Sequence, residues 1–321
     1  MKQWLLKLFQ FSAIVTFLLS IAGFWGELSY LLEITVHFKW QYLAIGCLIS
    51  LFFLVRGQPV WLIFSLCIVL LNLSFVLPWY LPANGFSQLA RSTNTNSNPL
   101  KILLANVNIA NQNYADTLDL IQSTNPDLFA IVETNQNWLD QVAMSGVFPY
   151  SIQSPNAGNF GVALYSKFPL KPVNVPTLPA STVSRVQDYH VAATVEIDQT
   201  SVTFIAIHPP PPITAVLTNL RNQELQIVGD FVEKNPSATV ILGDLNTTMW
   251  TTAYRQFEQH TNLKNARKGF GILPTWTTRL PLLFIPIDHI LIGSNFTVLD
   301  IKTGKNLGSD HLPLIVELAQ F

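Results

Sequence analysis

The amino-acid sequence predicts an α/β domain of mixed β-sheets packed face to face with helices outside, behind a membrane region of three transmembrane helices. Three observations predict this. Of 18 basic and 19 acidic residues only seven (Lys2, Lys7, Glu27, Glu33, Lys39, Arg56 and Arg91) precede residue 99. The first 81 residues hold three apolar runs that no polar face interrupts. From Lys101 onward the chain changes to short Val- and Ile-rich runs, many of them consecutive. Strand–helix–strand alternations are few, which favours packed mixed sheets over a doubly wound parallel sheet.

Averages over the 321 residues, 49% hydrophobic and 12% charged with mean hydropathy +0.33, hide these two parts. A soluble domain usually carries about 25% charged residues, so an ordinary cytosolic globule is excluded. Disorder is excluded too, because a chain this apolar buries a core. A net charge of -1 gives no polyanion-binding signature. Two cysteines, Cys47 and Cys67, exclude a disulfide scaffold and a cysteine-based zinc site.

The apolar runs cover residues 8–25, 40–55 and 59–81, placing transmembrane helices at about 5–25, 38–55 and 59–81. Roughly 20 apolar residues cross the hydrocarbon. The first and third runs qualify, and the second is short but uncharged. A cleavable signal peptide explains only the first run, and no A-x-A-like site follows it. Trp25, Trp40, Trp61, Trp79 and Tyr80 stand at run ends, where interfacial aromatics belong. Lys2, Lys7 and Arg56 place the N-terminus and the second loop in the cytoplasm. Three crossings of the inner (plasma) membrane then leave the rest of the chain extracytoplasmic. Residues 82–99, with the stretch RSTNTNSNP, read as a linker that tethers a domain at 100–321.

In that domain KILLANVNI reads as a strand, and residues 114–124 as a helix ending before Asn125-Pro126. DLFAIVET, FGVALYS, YHVAATVEI, SVTFIAIH, TVILGDL, IDHILIG and LPLIVEL read as strands. Helices are expected near 218–234 and 251–259.

Polar residues collect where these strands stop: Asn106 and Asn108, Glu133, His208, Asp244 and Asn246, Asp288 and His289, Asp310 and His311. One such residue is an ordinary turn former, but six sites of Asn, Asp, Glu and His suggest one cleft. Carboxylate and amide oxygens without sulfur suit Mg²⁺, Mn²⁺ or Ca²⁺, and Mg²⁺ is commonly held by one or two carboxylates with water and substrate phosphate. The remaining acids and histidines suit proton transfer and charge stabilisation, as in metal-assisted phosphate ester hydrolysis.

The ordered segments ANVN, VETN, AIHP, ILGDLN, PIDHIL and GSDHLP resemble the endonuclease/exonuclease/phosphatase superfamily, whose fold is that of deoxyribonuclease I. The likeness covers about residues 100–321 and is closest to a bacterial, membrane-anchored subgroup. It implies a four-layer α/β sandwich with the site at one edge of two packed sheets. It also implies roles. Glu133, with Asn106 and Asp310, would hold the metal. Asp244 would activate the attacking water and Asn246 would hold phosphate and nucleophile. His208 would donate to phosphate or leaving group, and Asp288 would keep His311 charged against the phosphate oxygens. Asn108, Asn159, Arg185 and Trp276 are candidates for substrate binding.

Blander readings stand beside these. Asp244 and Asn246 make an Asx-turn, Asp288 caps a strand, and the prolines after His208 form a rigid turn. Trp276 fits the core, Asn159 a glycine turn, and Arg185 and Arg279 a solvated face. His289 alternates with Asp288 and points to the opposite face; His190 and His260 have no motif support. From residue 101 there are 13 basic and 17 acidic residues, and only Lys264, Arg267 and Lys268 cluster. That is no duplex-DNA-binding signature, so the expected phosphoester is a lipid head group, a small phosphoester or extracellular nucleic acid. A non-catalytic binding member is the reading from another class. A reporter enzyme that works only in the periplasm, joined after Phe321, is expected to be active; activity of a cytoplasmic reporter there instead would reverse the orientation.

Overall fold

A computed structural model describes residues 3–82, 99–156, 158–178 and 189–320. Nearly all of the expected linker, and Arg185, lie outside the described residues. Among the described residues the N-terminal part has four α-helices: α1 Gln3–Ala22, α2 Tyr30–Val36, α3 Lys39–Val55 and α4 Pro59–Val76. Twelve strands follow: β1 Leu100–Asn106, β2 Leu128–Val132, β3 Tyr150–Ser154, β4 Val162–Ser166, β5 Lys171–Pro172, β6 His190–Ile197, β7 Thr200–Ile207, β8 Thr239–Asp244, β9 Lys264–Asn265, β10 Asp288–Ile292, β11 Phe296–Thr303 and β12 Leu314–Gln320. Between them lie helices α5 Tyr114–Thr124, α6 Gln136–Met144, α7 Ala215–Val232 and α8 Thr252–Thr261.

The strands form two six-stranded sheets, ordered β11-β12-β1-β2-β4-β3 and β5-β6-β7-β8-β10-β9. The central pairs β1/β2 and β7/β8 are parallel and their neighbours antiparallel. Strands buried on both faces read as continuous apolar runs. Ile102 and Leu104 point between the sheets with Phe204, Val240, Leu242 and Ile290. Leu103 and Ala105 of the same strand turn outward to α5 and α6. Ile241 of β8 turns outward to the layer of α7 and α8. This is the expected four-layer sandwich.

Helix ends follow local chemistry. Asn135, Thr214 and Thr251 cap α6, α7 and α8, each side chain accepting a backbone N–H of the first turn. Asn125 and Asn262 end α5 and α8 in the left-handed region. Two strands lack a clear sequence signal for physical reasons. Tyr150–Ser154 is an exposed edge with polar side chains, and Phe296–Thr303 carries a bulge between Val298 and Asp300 that breaks its alternation.

Gln3–Leu28 and Pro59–Trp79 are long and apolar enough to cross a membrane. The pair α2 and α3, bent by 62°, makes a third span if counted as one. Alone, the 17 residues of α3 reach about 25 Å. Polar side chains tie these helices together: Ser50 donates to Ser65 at 2.9 Å, Asn72 to Ser20 at 2.9 Å, and Lys39 Nζ to the Ser20 carbonyl at 2.7 Å.

The helical region does more than tether. Val36, Val76 and Trp79 pack in one cluster with Leu225, Trp250 and Tyr254 of the sandwich. Gln256 donates to Glu27 at 3.2 Å, Trp40 to the Phe284 carbonyl at 2.7 Å, and Trp250 to the Phe75 carbonyl at 3.1 Å. The end of α1, the start of α3 and the end of α4 therefore all abut the sandwich.

Close approach at Gly243 sets the spacing of β7 and β8. A Cβ there would lie 1.8 Å from the Ile207 carbonyl oxygen. Gly243→Ala is expected to lower the unfolding midpoint of the full chain by on the order of 5 °C or more; an unchanged midpoint would contradict this packing.

Candidate active site

Strand register brings the polar residues together. Asn106 pairs with Val132 across the parallel β1/β2 ladder, so Glu133 emerges beside it. Ile207 pairs with Gly243 across β7/β8, so His208 and Asp244 emerge side by side. Asp288 lies directly opposite Asp244 across the antiparallel β8/β10 ladder. Three residues of the cleft are held in the left-handed region although none is glycine: Asn108 at φ 56, Glu133 at φ 55 and Asn246 at φ 50. Asn tolerates this conformation and Glu does so poorly, so surrounding structure must hold Glu133 there. Gly161 helps: a Cβ on it would lie 1.7 Å from the Thr134 carbonyl oxygen.

One amide links the sheets. Asn106 Nδ2 donates to Glu133 Oε1 at 2.9 Å and to Asp244 Oδ2 at 3.1 Å, and lies 3.3 Å from His311 Nε2. His311 Nδ1 meets Asp288 Oδ2 at 2.8 Å, while Nε2 faces Asp244 at 3.7 Å. His208 Nε2 faces Asp244 at 3.7 Å and Glu133 at 3.9 Å. Asp310 accepts from Asn108 Nδ2 at 2.6 Å and from Trp276 Nε1 at 3.1 Å. Asn246 donates its N–H to Asp244 Oδ1 at 2.8 Å and its amide Nδ2 to the Pro209 carbonyl at 2.9 Å. Asn106, His208, Asp244, Asp288 and His311 are buried and Glu133 half-buried.

Burial and charge oppose each other here. Burial would neutralise His311, but the charge of Asp288, then that of Asp244, outweighs it and lifts its pKa to about 10. For His208 burial wins: burial, then the charge of His311, outweighs the opposing charge of Asp288 and drops it to about 3. Burial, then the Asp288 charge, pushes Asp244 up to about 8. Burial also acts to raise Asp288, yet the His311 charge and hydrogen bond hold it below the ordinary carboxylate range. Glu133 is raised, by burial first.

Glu133, His208 and Asp244 offer ligand atoms within 4.8 Å of one another, as do Asp244, Asp288 and His311. A protonated imidazole cannot ligate, which disfavours the second group. Crowded carboxylate oxygens whose pKa burial raises, as at Glu133 and Asp244, fit a hard divalent cation.

The other expected residues divide. Asn108 and Trp276 touch Asp310. Asn159 is exposed at the rim, its backbone against the His208 ring. Arg279 is exposed and makes no contact with these groups among the described residues. His289 turns to the other face of β10, where it meets Asn265 at 2.9 Å and the Thr247 carbonyl at 2.8 Å. His190 pairs with Glu224, and His260 faces Asp230. Arg267 is fully buried against the Leu273 carbonyl, so Lys264, Arg267 and Lys268 form no basic patch.

Two supporting residues went unassigned in the motifs. Ser309 Oγ donates to the Asn106 carbonyl at 2.8 Å and accepts the His311 N–H at 3.1 Å. Thr275 Oγ1 accepts the N–H of Asp288 at 3.3 Å. Ser309 stands inside the segment GSDHLP and Thr275 directly before Trp276, which was the available signal.

The Endonuclease/Exonuclease/phosphatase family model matches residues 93–311, and the chain belongs to that family. Its members are in general hydrolases of phosphoester bonds that use a divalent metal. A comparison with curated proteins finds no match. Among solved structures, an endonuclease/exonuclease/phosphatase from Beutenbergia cavernae is similar at TM-score 0.57 and 18% identity, over 70% of this chain and 72% of that one. A 3′ phosphatase from Neisseria bound to a product DNA hairpin reaches 0.55 and 20%, over 68% and 99%. The human Nocturnin catalytic domain with bound sulfate reaches 0.56 and 18%, over 70% and 94%. Identity at this level speaks for the fold alone.

The folded pKa of His311 lies above its unfolded value near 6.5, so its contribution to stability is full below pH 6.5 and is lost as pH rises through about 10. With divalent cations chelated, the unfolding midpoint should fall between those values, and Asp288→Asn should flatten that fall. Equal pH slopes in the two proteins would contradict the pairing.

Proposed function

We propose that the chain is a membrane-anchored, divalent-metal-dependent phosphoester hydrolase, a phosphodiesterase or phosphatase, in which an activated water attacks phosphorus. The observation that carries the reading is the buried network joining Asn106, Glu133, Asp244, Asp288 and His311 across the ends of both sheets. Glu133, with Asn106 and Asp310, is the set that would hold Mg²⁺ or Mn²⁺, which when bound supplies positive charge to a phosphate oxygen. Asp244, in its ionised form, accepts the proton of the attacking water; a pKa raised to about 8 makes that form a stronger base than an ordinary carboxylate. Asn246, its amide nitrogen fixed on Pro209, has Oδ1 left to orient that water. His311 stays an imidazolium because Asp288 faces it, and stabilises the charge of a pentavalent phosphorus. His208 is neutral and donates to the phosphate or leaving group. Asn108 and Trp276 fix Asp310, while Asn159 and Arg185 stand as substrate contacts.

The membrane region is taken as 1–81 with three crossings, the linker as 82–99 and the hydrolase domain as 100–321. Its place is the plasma membrane, with the domain on the extracytoplasmic side. Among phosphoesters, one observation favours a lipid head group over nucleic acid. Leu280, Leu282 and Leu283 are exposed on the loop between Trp276 and Phe284. That loop is tied at Phe284 to Trp40 and Gln41, at the start of α3. It thus presents apolar side chains beside both the site and the helices.

The full chain in detergent should hydrolyse a nitrophenyl phosphodiester, or a member of a panel of phospholipids, nucleotides and DNA, with Mg²⁺ or Mn²⁺ and not with chelator. Asp244→Ala and His311→Ala should each lower the rate by at least about 10²-fold. Folded wild-type protein inactive on the whole panel would sink the reading in favour of a binding role.

A further inference from the structure

The helical region reaches the loop that follows Asp244. Arg221, on the inner face of α7, is fully buried. Its guanidinium takes Glu33 of α2 in a bidentate pair, Nη1 to Oε1 at 2.7 Å and Nη2 to Oε2 at 3.0 Å. The same Nη1 reaches the carbonyl of Asn246 at 3.3 Å. Two further contacts grip the loop. His37, just past α2, lies 3.1 Å from Thr248 Oγ1, and Trp250 donates to the Phe75 carbonyl at the end of α4. Asn246 is left-handed and gives its N–H to Asp244 Oδ1, so movement of this residue moves a hydrogen bond to the general base.

We propose that Glu33 and Arg221 are positioning residues, through which the N-terminal helices fix Asn246 and, through its N–H, the Asp244 carboxylate. A buried arginine keeps one geometry only while its charge is compensated. Glu33 supplies that compensation, and the planar fork leaves Nη1 aimed at the Asn246 carbonyl. Without Glu33 the guanidinium turns toward solvent, and the left-handed turn at Asn246 loses its donor. On this view the helices complete the site rather than merely hold it at a surface.

The inference rests on the hydrolase reading for its kinetic readout only. In the full chain, Glu33→Gln and Arg221→Lys should each lower kcat about tenfold or more, with KM within about twofold. A purely structural ion pair would add its effect to any other change. A positioning pair would not, so in an Asp244→Ala background, where the carboxylate it positions is gone, the same substitutions should change the residual kcat by less than about twofold. Hydrogen exchange provides a readout that needs no turnover. In Glu33→Gln, amides of residues 244–251 should exchange faster, while those of β1 and β2 keep their protection. Losses that multiply in the Asp244→Ala background, or unchanged exchange at 244–251, would overturn the proposal. If the wild type hydrolyses nothing, the exchange result alone decides it, and the hydrolase reading fails separately.

Discussion

A single buried imidazolium lets carboxylates share the end of a hydrophobic sandwich. Asp244 and Asp288 face each other across adjacent strands, with Glu133 close by, all withdrawn from water. Like charges so placed repel strongly in a medium of low dielectric. His311, lying between Asp288 and Asp244, offsets part of that repulsion, and Asn106 satisfies one oxygen on each sheet. Charge remains in excess, and the proton held by Asp244 is its residue.

The helical region changes how the sandwich should be regarded. Its interfacial part covers apolar side chains on the α7/α8 layer, including Leu225, Trp250 and Tyr254, that an isolated domain would expose to water. Interdomain contacts in one chain are usually polar and loose. Here the contact includes a buried bidentate ion pair, which is intolerant of partial separation. The two parts therefore share a buried interface around α2.

Much of the sandwich and its cleft was legible in the sequence because each polar group ends an apolar strand. That pattern marks the strand limit and the chemistry at once, as in VILGDLN and LFAIVE. The sequence could not show which ends meet across sheets, since Asn106 and Asp244 are 138 residues apart and no periodicity connects them. Arg221 was unreadable for the same reason: an arginine on a helix is usually solvated, and its partner lies 188 residues away. The short helix α2 falls in the stretch read as the loop between the first and second crossings. Its glutamate, which there looked like a loop charge, turns inward.

The two sheet orders have a consequence of shape. Each sheet is built as two antiparallel neighbours on either side of one parallel pair, so the sheets are related by an approximate two-fold. By register Glu133 corresponds to Asp244 and Val107 to His208, each one residue past the last pair of its parallel ladder. The contacts of Asn106 and Glu133 with Asp244 and His208 all cross the sheet interface. Spacing between the sheets, set by side chains such as Phe204 and Leu104 far from any solvent, is thereby also the bond length of the site.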